Sequence, residues 1–199
     1  MRILAGEARG RILRAPEGKG TRPTDARSRE TLFNIWSDRI LDARVLDLYA
    51  GSGGVGLEAL SRGAQSCIFV EQNAAACNAI RANLKNIGWQ DKAQVWQTGI
   101  RSALHRMSEH EEYSGAFDFI FADPPFRAPE EFEDLRNRVD ILARLLHNVG
   151  ELSESGTSSR ERIAAIQHPK RMNFELSAPF KLWKARRVGD SCLSFFELT

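Results

Sequence analysis

A glycine-rich turn follows the first strand-like apolar run of the sequence. The run Val45 to Ala50 leads directly into Gly51-Ser52-Gly53-Gly54-Val55-Gly56, and the apolar residues that follow, Leu57 to Leu60, indicate a helix. Glycines at such a turn let the backbone take positive φ and approach a ligand without a Cβ in the way. The pattern therefore predicts a ligand site in which Gly51 and Gly53 line the turn.

Acidic residues stand on both sides of this turn. Glu71 lies twenty residues after Gly51, at the end of the second strand-like run, where a carboxylate can accept both hydroxyls of a ribose. Asp47 lies four residues before Gly51, where it would face a cationic ligand such as S-adenosylmethionine and would repel a pyrophosphate. We place Tyr49 in the same predicted cofactor site.

A second candidate site follows the fourth strand-like run, Phe117 to Ala122. The run ends in Asp123-Pro124-Pro125-Phe126, at the sheet edge where open α/β folds bind ligands. The Asp123 carboxylate and the Pro124 carbonyl can both accept hydrogen bonds from one NH₂ group, and Phe126 can stack on an aromatic base. These three residues are the predicted catalytic set for chemistry on a planar aromatic amine.

Short apolar runs alternate with longer helical stretches from Val45 onwards, which predicts βαβ units and a mostly parallel sheet with helices on both faces. The chain ends differently, because 180–185 and 191–198 have little helix between them and predict an antiparallel hairpin. The predicted strands are 45–50, 67–70, 93–96, 117–122, 162–166, 180–185 and 191–198. The predicted crossover helices are 57–60, 74–84 and 132–146.

The first residues are predicted to form an extension to this core. Residues 1–14 alternate around a glycine and predict a short β-hairpin, Pro16 to Pro23 a loop, and Thr24-Asp25 the cap of a helix that ends near Trp36. We therefore divide the chain into an extension, 1–37, and a larger domain, 38–199.

Positive charge is concentrated at two places. Residues 1–29 hold eight Lys and Arg against three acids, and residues 170–187 hold six against one, although the net charge of the chain is only +2. This asymmetry favours a polyanionic partner. A solvated basic surface without a partner is the alternative.

Composition excludes several other classes. A chain of 199 residues with 42% apolar content suits one core, and it contains no apolar run long enough to cross a membrane and no signal-peptide pattern. Cys67 and Cys192 fall in strand-like runs and predict buried thiols in a reducing compartment. The four histidines lack ligand spacing, so we expect a cytoplasmic protein without a metal or a membrane.

The chain resembles one family of class I methyltransferases, the bacterial 16S ribosomal RNA guanine-N2 methyltransferases of the RsmD type. Four stretches carry the resemblance: 2–11, with Arg2-Ile3-Leu4-Ala5-Gly6; 21–34, with Thr21-Arg22-Pro23-Thr24; 45–63; and 117–126. It implies a Rossmann-like fold, S-adenosylmethionine as the cofactor and a guanine of small-subunit ribosomal RNA, naked or in a particle, as the substrate.

The resemblance also implies roles for residues of the extension. Arg9 and Arg11 would hold the RNA, a flipped base would enter the pocket, and Arg22, Thr24 and Arg29 would lie near the mouth of the active site. For Arg29 an ordinary ion pair with Glu30 on the helix surface is an equal alternative.

The sequence departs from the family at two positions. After the third strand the family has an acid for the adenine amine, whereas this chain has Gln97-Thr98-Gly99-Ile100, so backbone groups or Gln97 would hold adenine. The end of the fifth strand carries Gln167-His168 where an acid is expected.

Other functions remain as alternatives. Gly51, Gly53 and Gly56 satisfy the GxGxxG pattern of dinucleotide-dependent oxidoreductases. Asp-Pro-Pro-aromatic loops also occur in DNA adenine methyltransferases, which need a target-recognition insert, and in protein glutamine methyltransferases, which more typically carry Asn. An inactive RNA-binding protein of ribosome assembly is the non-enzymatic alternative.

Overall fold

The computed structural model describes residues 1–16, 25–147 and 162–199. Several expectations concern positions outside these ranges. They are the loop up to Pro23, the sites assigned to Arg22 and Thr24, and residues 153–159, whose polar sequence predicts a loop.

Seven strands form one sheet in the order β3-β2-β1-β4-β5-β7-β6. Strands β1 to β5 are parallel, and β7 runs antiparallel to both of its neighbours. The predicted mostly parallel sheet with a C-terminal antiparallel hairpin is thus confirmed. The strands are β1 Arg44–Leu48, β2 Ser66–Glu71, β3 Ala93–Gln97, β4 Phe119–Ala122, β5 Ile163–Pro169, β6 Phe180–Val188 and β7 Ser191–Leu198.

Six α-helices in the described chain cover both faces of the sheet. One face packs against α1, α2 and α3, and the other against α4, α5 and α6. The central strands are apolar on both faces for this reason, since neither face meets water. The helices are α1 Ala26–Trp36, α2 Gly54–Ser61, α3 Ala74–Ile87, α4 Ile100–Glu109, α5 Pro129–Arg136 and α6 Val139–Leu146.

The helix predictions were incomplete in two places. Helix α4 was not predicted; it begins after Gly99 without a side-chain cap, although its apolar residues face the sheet. The single helix predicted over 132–146 is two helices, because α5 ends at Arg136 and α6 begins at Val139. Each presents its own apolar face to the core.

The N-terminal segment forms the predicted small hairpin. A single antiparallel bridge joins Arg2 to Ile12, and the Ile3 amide donates to the Arg11 carbonyl at 3.0 Å. The hairpin lies against α2 so closely that a Cβ on Gly6 would be 1.7 Å from the Ser61 carbonyl oxygen. Only glycine fits at that position.

Two polar side chains of α2 hold the segment in place. Glu58, which is fully buried, accepts hydrogen bonds from the Leu4 and Ala5 amides at 2.8 and 3.0 Å. The Ser61 hydroxyl accepts from the Ala8 amide at 3.0 Å and donates to the Ala5 carbonyl at 2.6 Å. These bonds satisfy backbone groups that would otherwise be buried without partners.

Helix α1 begins and packs as predicted. Asp25 caps it by accepting from the Ser28 amide at 2.8 Å, and Trp36 at its end packs on Phe119 of β4 with ring centroids 4.7 Å apart. The hairpin and α1 share a core cluster with the sheet. The boundary proposed at residue 37 stays a prediction.

All three cysteines are buried as free thiols. Cys67 lies in β2 and Cys192 in β7, as the sequence predicted.

Replacing Glu58 by leucine should destabilise the protein. The change leaves the Leu4 and Ala5 amides buried without acceptors, and each unsatisfied group costs about 1–3 kcal/mol. We expect the free energy of unfolding, measured by urea denaturation, to fall by roughly 2–5 kcal/mol. Glu30→Leu, at an exposed position of α1, is the matched control; equal losses in both variants would show that the Glu58 bonds do not stabilise the fold.

Candidate active site

A cavity of about 1250 Å³ opens at the carboxyl edge of the sheet. It extends from the end of β3 across β2, β1 and β4 to β5 and the start of β7, and therefore spans the point between β1 and β4 where the strand order reverses. Open α/β sheets bind ligands at such a point. The lining residues are Asp25, Tyr49–Ser52, Gly54, Val70–Asn73, Thr98–Ser102, Asp123–Arg127, Glu131, Gln167 and Ser191.

The turn after β1 is built from left-handed backbone. Tyr49, Gly51 and Gly53 have φ of 59°, 54° and 76°. A Cβ on Gly51 would meet no atom closer than the Tyr49 carbonyl oxygen at 4.0 Å. Since Gly51 lines the cavity, the missing side chain leaves room for a ligand against the backbone.

Glu71 lines the cavity beside this turn. Its Oε2 accepts from the Gly51 amide at 2.8 Å and its Oε1 from the Asn73 amide at 2.7 Å. The carboxylate is thereby fixed in orientation, and each oxygen retains a lone pair for a further donor. This geometry suits the predicted contact with ribose hydroxyls.

Asp47 differs from the expectation that it faces the ligand. It is 1% exposed, does not line the cavity, and accepts from the Gly56 amide in the first turn of α2 at 2.9 Å. Burial raises the pKa of this carboxyl to about 7; the Gly56 hydrogen bond opposes the rise, and the charges of Asp123 and Glu71 add to it. The Asp47 carboxyl therefore lies beneath the cavity wall and takes up a proton as the pH falls below about 7.

Three more of the predicted site residues lie off the cavity wall. Gly53 faces the interior, where a Cβ would be 2.9 Å from Ile80, so its role is packing. Gln97 is exposed and does not line the cavity, whereas Thr98 and Gly99 do, which favours the backbone alternative for adenine. The predicted adenine contact, Gln97, is thus one residue before the two that line the cavity.

Arg29 is the third predicted site residue that does not line the cavity, and it is 2% exposed. Its Nη2 donates to the Arg2 carbonyl at 3.2 Å, while Nε and Nη1 have no partner among the described residues. Burial lowers the pKa of this guanidinium, and the charges of Glu58 and Asp25 oppose that effect. Arg29 thus lies behind the glycine turn instead of at the mouth, and it does not pair with Glu30, which is exposed.

The predicted catalytic residues meet at the other half of the cavity. Asp123, Pro124 and Phe126 all line it, and Phe126 is 39% exposed, as a stacking platform must be before a base arrives. The Asp123 amide donates to the Leu48 carbonyl at 3.4 Å, and the Ala128 amide closes the loop on the Pro125 carbonyl at 2.9 Å. The loop is therefore attached to β1, beside the glycine turn.

Several lining residues were not predicted. Glu131 of α5 accepts from the Tyr49 hydroxyl at 2.8 Å, which joins the two halves of the cavity. Asp25, Gln167 and Ser191 reach it from α1, β5 and β7. Of these, Gln167 carried a sequence signal, because it stands where the family has an acid.

Arg9 and Arg11 are exposed on the hairpin, and the neighbouring Ile12 is 82% exposed. Their side chains are accessible to a partner. The described residues contain no group of three or more acids, histidines and cysteines that could hold a metal ion. No helix among them is long and apolar enough to span a membrane.

Comparisons with known proteins agree with this architecture. The family model described as conserved hypothetical protein 95 matches residues 1–197. The Bacillus subtilis protein YlbH, provisionally named an rRNA methyltransferase, is 35% identical over 170 residues, which are 85% of this chain and 86% of that protein. Ribosomal RNA small subunit methyltransferase D of Escherichia coli K12 is 38% identical over 64% of this chain and 61% of its own length.

A solved structure gives the same result for the whole fold. The Escherichia coli protein yhhF, provisionally described as a methyltransferase, superimposes with a TM-score of 0.73 at 29% identity. The match covers 100% of this chain and 97% of that one.

The raised pKa of Asp47 predicts a pH dependence of stability. The unfolded group titrates near 3.8 and the folded one near 7, so the folded state holds the extra proton between these values and stability is lost as pH rises through that window. Asp47→Asn keeps an acceptor for the Gly56 amide and lacks this loss. Relative to the wild type, its free energy of unfolding should rise by about 1.4 kcal/mol per pH unit between pH 4 and 7. A pH-independent difference in urea denaturation would contradict this.

Proposed function

Since the chain belongs to the RsmD-type methyltransferase family, we propose that it transfers a methyl group from S-adenosylmethionine to the 2-amino group of a guanine in small-subunit ribosomal RNA. One observation carries the proposal. A single cavity joins the glycine turn and Glu71 to the Asp123-Pro124-Pro125-Phe126 loop. A cofactor on one half and a base on the other would meet at the junction of β1 and β4.

The first half of the cavity fits S-adenosylmethionine. The backbone at Gly51 leaves space for the ligand, Glu71 retains acceptors for the ribose hydroxyls, and Thr98 and Gly99 line the end proposed for adenine. The acids that line the wall give this region a negative potential that favours a cation. When bound, this cofactor supplies an electrophilic methyl group on a positively charged sulfur.

The second half fits an aromatic amine. The Asp123 carboxylate and the Pro124 carbonyl can each accept one hydrogen of the amino group, which favours a pyramidal nitrogen with a directed lone pair. The nitrogen would form its bond to the methyl carbon as the carbon–sulfur bond breaks, and the Asp123 carboxylate, which holds one amino hydrogen, can take the proton that the methylated nitrogen releases. Holding the nitrogen in line supplies the orientation on which a direct displacement depends.

The base must leave its stack to reach this loop. An amino group inside a helix or a stack does not present its lone pair, so the proposal includes a flipped guanine. Phe126 offers an exposed ring on which that base can stack, a contact worth roughly 1–3 kcal/mol. Arg9 and Arg11 lie on an accessible hairpin and would hold the flanking RNA.

The structure argues against the dinucleotide alternative. Dinucleotide-binding folds place a pyrophosphate on the free amides of the first helix turn. Here the Gly56 amide of that turn already donates to the buried Asp47 carboxyl, so it is not free for a phosphate. The acids that line the cavity would also repel a pyrophosphate.

The deciding experiment is transfer of labelled methyl from S-adenosylmethionine to small-subunit particles that lack the modification. Naked ribosomal RNA, DNA and protein serve as parallel acceptors, and the products are analysed as nucleosides. We expect label in N2-methylguanosine. Label in methyladenosine or in protein instead would replace the guanine proposal.

In the same assay Asp123→Ala should lower turnover by roughly 100-fold, on the scale of one oriented polar group in the transition state. Affinity for S-adenosylmethionine, measured by calorimetry, should change little, because Glu71 and the glycine turn are intact. Asp91→Ala, at an exposed position before β3, is the control. Turnover near that of the control would remove Asp123 from the mechanism.

Replacing Arg9 and Arg11 together by alanine should weaken RNA binding and make it less sensitive to salt. Losing two phosphate contacts lowers the slope of log affinity against log salt by about 1.5. Lys85→Ala with Lys92→Ala removes two exposed charges outside the hairpin and should leave the slope unchanged. Equal slopes for both double variants would exclude the hairpin from the RNA site.

A further inference from the structure

The buried Gln167 side chain has an amide oxygen without an intramolecular partner. Its side chain lies in the cavity wall, the residue is 5% exposed, and its Oε1 has no hydrogen-bond partner among the described residues. Burying such a group without a hydrogen bond destabilises the folded protein, and no contact within the protein explains its presence. An unsatisfied amide in the wall of an active-site cavity indicates that a ligand provides the partner.

The register of the sheet puts Gln167 next to the catalytic aspartate. Ala122 of β4 pairs with Ile166 of β5, and Asp123 and Gln167 are the next residues on these parallel strands. Phe121 and Ala165, two positions earlier on each strand, both face the core cluster beneath α1. By the alternation of strand side chains, Asp123 and Gln167 continue on that same face.

This position belongs to the base half of the cavity. In the order β2-β1-β4-β5, Gln167 lies three strand spacings from Glu71, about 14 Å at the usual separation. Glu71 marks the ribose end of the cofactor half. Asp123, by contrast, is on the adjacent strand, one spacing away.

We propose that Gln167 reads the Watson–Crick edge of the target guanine, an inference that rests on the proposed function. On that edge the 2-amino group, N1–H and O6 stand in a row. With the amino group held by Asp123 and Pro124, the Gln167 Oε1 accepts from N1–H and its Nε2 donates to O6. Adenine, held by its own amino group, presents an acceptor at N1 and then a carbon, so it forms neither of these two bonds.

Gln167 is thus a specificity-determining residue whose polarity serves the substrate instead of the fold. Gln167→Met keeps the length of the side chain and removes both hydrogen-bonding groups. Since the amide has no partner to lose in the ligand-free protein, this variant should have a melting temperature equal to or above that of the wild type.

The test compares two bases at the nucleotide that the labelling experiment identifies. RNA that carries guanosine there is compared with RNA that carries 2-aminopurine, which has the same 2-amino group but lacks N1–H and O6. The wild type should prefer guanosine in kcat/KM by about tenfold to a hundredfold, the range for loss of a bidentate base contact. In Gln167→Met this ratio should fall about tenfold or more. Gln65→Met, the same change at an exposed position between α2 and β2, should keep the wild-type ratio.

The outcomes distinguish failure of the Gln167 role from failure of the proposed function. Methylation of guanosine RNA with equal ratios in the wild type and Gln167→Met overturns the role of Gln167 and leaves the proposed function standing. Equal kcat/KM values of the wild type for the two RNAs also overturn the role of Gln167, whatever the variants show. Failure to methylate guanosine RNA at all overturns both.

Discussion

The structure depends on how closely α2 approaches the sheet. A Cβ on Gly56 would lie 2.2 Å from the ring of Phe69 and 2.6 Å from the sulfur of Cys67, so only glycine lets the helix pack there. This contact fixes the position of α2. The cofactor turn leads into its first residue, and its outer side holds the N-terminal hairpin through Glu58 and Ser61. One steric fit therefore positions both the glycine turn and the predicted RNA-binding segment.

Charge is distributed around the cavity in a pattern that suits two different ligands. Acids lie in and below the wall, and their mutual repulsion is strong enough to contribute to the raised pKa of Asp47. Exposed arginines lie outside, on the hairpin. A cationic cofactor and a polyanionic RNA would each meet the opposite charge at their own place. Neither arrangement is evident from a net charge of +2.

The features that could be predicted from the sequence are those encoded by consecutive residues. Apolar runs gave the strands, and the glycine turn and the Asp123 loop were located by the runs that precede them. What the sequence could not supply is the direction of single side chains. Asp47 turns to the Gly56 amide, and Gln97 is exposed and does not line the cavity, although its register partner Glu71 does. The role of Glu58 rests on contacts more than fifty positions away in the chain, which no local pattern encodes.

The two halves of the cavity come from different parts of the chain. The half proposed for the cofactor is lined by residues between 49 and 102, and the half proposed for the base by residues between 123 and 131, with Asp25, Gln167 and Ser191. A synthetic inhibitor that links an adenosine-like group to a purine would engage both halves at once. Because the second contact then forms within one complex, its effective concentration is in the millimolar range or higher, and modest affinities for each half combine. Selectivity over other methyltransferases would come from the purine end, where Gln167 lies.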